Sequence, residues 1–150
     1  MIAALAAALL SAFGHLHPLQ AEYYAEVIAE EAYWANIDPV TLAARIWCES
    51  GYRPRTLHAG TYGLAQCRER AVTVRTQAAC GARALAFWRD YHLSGKCRQE
   101  PAHGYTLHFT WGWTVPRARR VHEGLKMHRV ERLLERKMLA HQSRGADPGL

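Results

Sequence analysis

The 150-residue chain contains no Cys-x-x-Cys pair, no His-Glu-x-x-His motif and no internal repeat. The first absence argues against a structural zinc site. The second, with nine histidines in no tight ligand spacing, leaves no basis for assigning a metal or any other cofactor. No stretch has the composition of a low-complexity or disordered segment. The apolar run Met1–Gly14 is too short for a comfortable transmembrane helix, so no stable membrane span is expected. Positive charge is scarce there as well: only the α-amino group carries it, and no small-x-small cleavage site follows. The length of the run still suits the apolar region of a secretory leader. Residues 1–17 therefore read as a leader, which would place the protein in the periplasm or outside the cell, or as an Ala-rich helix packed on the domain.

What is present fits one globular domain over residues 18–142, with a polar, flexible tail at 143–150. The chain is 49% hydrophobic and 21% charged, and five tryptophans add large apolar surfaces, enough for a sizeable core. The formal charge of +6 is concentrated: residues 117–144 hold nine Lys/Arg and three acids (9 − 3 = +6), leaving the rest neutral at 10 − 10. A basic helix of this kind suits a polyanionic partner such as nucleic acid, a membrane surface or an anionic wall polymer. Base-reading motifs are absent, and no nucleic-acid partner is expected. Cys48, Cys67, Cys80 and Cys97 permit two disulfides in an oxidising compartment, with three pairings open. The favoured one is Cys48–Cys67 with Cys80–Cys97, the latter tying the ends of one helix-plus-turn segment.

Helical periodicity covers Pro18 to about Asn36. Asp38 as N-cap and Pro39 at the first helical position open a second helix, which Gly51 ends after Ser50. Thr61–Gln66 is apolar and glycine-broken, as in a short strand or tight hairpin. Residues 76–92 and about 117–141 read as further helices, the last with Val121, Leu125, Leu133, Leu134 and Met138 as its core face. Glu49 is the residue that needs an explanation. It shares part of its helix face with Ile46 and Leu42, the side that turns inward. Burial disfavours a charged carboxyl, and a glutamate kept protonated near neutral pH is a general acid. Asp38, at the far end of the same helix, is about 16 Å away by helical rise, too far to form a carboxylate pair.

Three motifs in order give this residue a context. Glu49-Ser50-Gly51 ends a helix, Gly63-Leu64-Ala65-Gln66 follows, and Gly81-Ala82-Arg83-Ala84-Leu85 lies within the next helical stretch. Together with His108-Phe109-Thr110-Trp111-Gly112, this order resembles the lytic transglycosylase and goose-type lysozyme superfamily over about residues 20–125. The resemblance implies a mainly α, lysozyme-like α+β domain with one small β-hairpin or short sheet. It also implies cleavage of the MurNAc–GlcNAc β-1,4 bond of peptidoglycan with a 1,6-anhydro product. Glu49 would be the lone acid/base, first protonating the departing oxygen and then taking the proton of the C6 hydroxyl. Ser50, Tyr62, Gly63, Gln66, Phe109 and Thr110 would contact the glycan. Phe109 and Thr110 depart from the family's usual tyrosine and asparagine, which bears on substrate positioning.

The expected partners are glycan strands, in wall remodelling or within a secretion, conjugation or phage assembly. The alternatives are a hydrolysing lysozyme of the same fold and a non-catalytic glycan-binding or assembly module.

Overall fold

The computed structural model describes residues 1–58, 60–67, 73–91, 93–94 and 117–145, with the backbone alone for 117–121, 123 and 145. Within these residues the chain is mainly helical: α1 (Ile2–Ala12), α2 (Pro18–Trp34), α3 (Pro39–Ser50), β1 (Leu57–His58), β2 (Thr61–Tyr62), α4 (Val74–Tyr91) and α5 (Arg117–Gly145). The two strands form an antiparallel pair, with Leu57 opposite Tyr62 and His58 opposite Thr61. No helix among the described residues is long and apolar enough to cross a membrane.

The helix ends follow their local chemistry. Asp38 accepts from the Thr41 backbone N–H at 2.9 Å, satisfying an orphan donor at the start of α3. Gly51 closes α3 in the left-handed region (φ 59°), its N–H donating to Trp47 O at 2.8 Å. His17 caps α2 in a reciprocal arrangement with Gln20. Thr73 and Thr76 exchange side-chain and backbone bonds at 3.1 Å before α4.

The apolar N-terminal run is helical and inside the fold. α1 packs on α2 and α5, and Leu5, Ala8 and Leu9 are fully buried with Phe13. The core continues through Val27 and Ile28 of α2, Leu42 and Ile46 of α3, Leu85 of α4 and Leu134 of α5. Two expectations need correction. Leu125 points outward, 50% exposed, while Met127 takes a core position, because the inward stripe of α5 runs Met127–Val130–Leu134–Met138. Also, α5 continues past Ser143 to Gly145, with Ser143 Oγ donating back to Leu139 O at 3.0 Å, so residues 143–145 are helical. Leu133 is half-buried and outside the core cluster, and the side chain of Val121 lies outside what is described.

The disulfide pairing differs as well. Cys67 is bonded to Cys80, which rules out Cys48–Cys67 and Cys80–Cys97 together. Cys67 closes the turn after β2, where its backbone exchanges hydrogen bonds with Tyr62, and Cys80 lies on the facing side of α4. The bond therefore staples the hairpin to α4 instead of to α3. Cys97 lies outside the described residues.

Candidate active site

Glu49 lies in the last turn of α3, its side chain 15% exposed. It lines an open cleft of about 410 Å³ together with His15, Trp47, Cys48, Ser50, Gly51, Arg53 and Thr56. Three parts of the chain build the walls: the end of α3, the loop leading to the hairpin, and the segment between α1 and α2. Phe13 stacks on Trp47 with centroids 4.0 Å apart. His15 Nε2 lies 2.9 Å from Gly51 O. Tyr52, with φ 62°, turns inward beneath this wall and donates from its hydroxyl to Ala43 O at 3.0 Å. Burial pushes the Tyr52 phenol well above its ordinary range, so it is a neutral packing and hydrogen-bonding group.

Arg45, one turn before Glu49, is the side chain that organises the site. Its Nη1 is 3.2 Å from Glu49 Oε1, and its Nη2 donates to Ala65 O at 3.0 Å. Burial lowers the Arg45 guanidinium to about 10, with Glu49 and Cys48 pulling the other way; it is still charged at neutral pH. One buried cation thus ties the acid on α3 to the Gly63–Gln66 loop. The same loop meets α4 at Gly81, where an added Cβ would lie 2.7 Å from Ala65 Cβ and 3.4 Å from Leu42 Cδ1. The segments carrying Glu49, Gly63–Gln66 and Gly81 therefore interlock around Ala65.

The other expected glycan contacts have different surroundings. Ser50 lines the cleft, but its Oγ donates to Ile46 O at 3.0 Å, bending back on its own helix. Gln66, at φ 50°, has its amide committed within the hairpin: Nε2 donates to Thr56 O and Gly63 O at 2.9 and 2.8 Å, and Oε1 accepts from Thr61 Oγ1 at 2.8 Å. It holds the loop whose Thr56 reaches the cleft. Gly63 (φ 83°) permits a close approach, but to Gln77: an added Cβ would lie 2.5 Å from Gln77 Cδ. Gln77 in turn accepts from Leu64 N at 2.8 Å and donates to Pro54 O at 3.1 Å, bridging both sides of the hairpin. Tyr62 is half-buried on β2 and does not line the cleft. Phe109 and Thr110, with Trp111, lie outside the described residues.

No family model, curated protein or solved structure matches this chain.

Functional reasoning from the residues alone missed Arg45, His15 and Gln77. Arg45 had a signal, because a cation four residues from an acid on one helix is a ready ion pair. His15 and Gln77 had none, since their places depend on how distant segments pack. Among the described residues, no group of three His, Cys, Asp or Glu side chains could hold a metal ion. The cleft thus offers one partly desolvated carboxyl, one buried cation behind it and polar groups at the rim. That set suits proton transfer to or from a bound polar substrate.

Proposed function

We propose that the chain is a peptidoglycan lytic transglycosylase of lysozyme-like fold, with Glu49 as its single acid/base. The observation that supports this most is the interlocking of the three resembling segments around Ala65, with Glu49 opening from that junction into a cleft. A solitary carboxyl suffices for this reaction. It gives its proton to the departing glycosidic oxygen, the substrate's N-acetyl group stabilises the cationic centre, and the resulting carboxylate takes the C6 hydroxyl proton as the anhydro ring closes. This differs from the two-carboxyl arrangement of most glycosidases. The Cys67–Cys80 bond fits a periplasmic or secreted location, where disulfides persist.

One observation favours a second reading, a glycan-binding module without catalysis. The Arg45 guanidinium stabilises Glu49 as carboxylate, whereas the first step needs the carboxylic acid. On the catalytic reading, a bound sugar displaces water from the cleft and shifts the balance toward the protonated form. Clearing of purified peptidoglycan by wild type and Glu49→Gln separates the two. Catalysis predicts a loss of roughly 10²-fold or more, the usual contribution of an acid/base group. Equal clearing by both proteins would remove Glu49 from the chemistry. Binding of glycan by wild type without release of fragments would establish the module.

A further inference from the structure

The outer face of α5 collects positive charge. Counted at about 100° per residue, Lys126, Arg129, Arg132, Arg136, Lys137 and Arg144 fall within an arc of roughly 140°. All of them except the half-buried Lys137 are exposed. Glu131 and Glu135 fall outside that arc, and Glu131 lies 3.3 Å from His128 Nδ1. The opposite side of the helix carries Met127 and Leu134 into the core. The arc is also not purely polar: Leu125, 50% exposed, lies inside it and Leu139, 64% exposed, at its edge. They are 14 residues apart, roughly 21 Å along the helix axis.

We infer that this face of α5 is a docking surface for an anionic lipid bilayer. Charge complementarity with acidic headgroups would bring the helix down parallel to the membrane plane, and the two leucines would enter the headgroup region. A nucleic-acid surface has no use for isolated leucines. Residues 117–145 contain no Phe, Tyr or Trp, the residues on which single-stranded bases stack. The core-facing stripe is already committed to the fold, so the helix lies on the bilayer and does not enter it. The inference stands on α5 alone and does not depend on the role of Glu49.

Co-sedimentation of the full chain with vesicles tests it. Vesicles of phosphatidylglycerol and phosphatidylcholine should bind the protein, pure phosphatidylcholine vesicles should not, and about 1 M salt should release it as screening shortens to a few ångströms. Combining Arg129→Gln, Arg132→Gln and Arg136→Gln should weaken partitioning roughly a hundredfold, at about fivefold per charge. Leu125→Ser with Leu139→Ser should weaken it several-fold. Because these side chains are exposed, both variants should keep the wild-type thermal midpoint. Three results would overturn the inference: no partitioning of wild type to anionic vesicles, partitioning indifferent to the arginines, or duplex DNA bound as tightly as the vesicles with both leucines irrelevant.

Discussion

Arg45 decides how Glu49 behaves. Desolvation and the guanidinium act on the carboxyl in opposite directions, burial favouring the neutral acid and the cation the carboxylate. Replacing Arg45 with Met removes this cation, so Glu49 should hold its proton to higher pH. A general acid works while protonated, and activity falls as pH rises through its titration. The alkaline limb of the kcat/KM profile should therefore move to higher pH. Arg45→Lys, which keeps the charge, should move it far less. An unmoved limb in Arg45→Met would separate the ion pair from the chemistry. Arg45→Met also removes the bond to Ala65 O, and the fold should lose roughly 3 kcal/mol at neutral pH, read as a lower denaturant midpoint.

The partial burial of Glu49 at the end of α3 was legible from its position on an apolar helix face. Its ion pair needed only the i, i+4 rule. Gln66 was placed in the right loop, but its direction was not readable. Its amide is satisfied by Thr56 O, Gly63 O and Thr61 Oγ1, and those partners converge only after the hairpin closes. Gly63, expected to contact the glycan, leaves room for a close neighbour. The side chain that enters is Gln77, fourteen residues later, and nothing local announces it.

At the scale of elements, α1 is where two readings of the sequence diverged. Its run of Ala and Leu has the length of a leader and also the spacing of a core helix, and short apolar segments carry both signals. In the fold, Leu5 and Leu9 are fully buried, and Phe13 backs Trp47 at the cleft. Leu9→Ala should cost about 2–5 kcal/mol, measured by chemical denaturation. Removing residues 1–13 should abolish cooperative unfolding, since it uncovers α2 and α5 together. A truncated chain with a wild-type transition would show that α1 is dispensable to the core.

The hairpin makes the opposite case. It is too short to be stable alone, and its register is held by Gln77, Gln66 and the Cys67–Cys80 bond. The sequence left three pairings open because cysteine spacing does not encode which helix faces a loop. Opening this bond frees a 13-residue separation, and chain entropy puts the loss at about 3 kcal/mol. Reduction should lower the thermal midpoint and loosen the Thr56 side of the cleft. An unchanged midpoint under reductant would show that Gln66 and Gln77 suffice.

On the scale of the whole molecule, helix content and order followed from caps and periodicity: Asp38 before Pro39, Gly51 after Ser50, Pro18 after His17. The way the helices come together did not, because α1, α3 and α5 meet through long-range packing that no local pattern specifies. On the proposed reading, function is concentrated at that junction. α3 supplies the acid, the hairpin loop and α4 fix it through Ala65, and the segment after α1 closes one side of the cleft. A site assembled from so many segments should fail as a unit when the fold loosens. Its chemistry should still be isolated by a change at Glu49 alone, since Gln preserves shape and removes the proton.

The most direct measurement is mass analysis of the glycan fragments released from purified peptidoglycan by wild type and by Glu49→Gln. The lytic assignment predicts fragments ending in 1,6-anhydro sugars, lighter by the elements of one water than the hydrolytic products, and none from Glu49→Gln. Fragments with ordinary reducing ends would make the chain a hydrolase. Anhydro fragments released equally by both proteins, or by neither, would contradict the assignment of Glu49 as the acid/base.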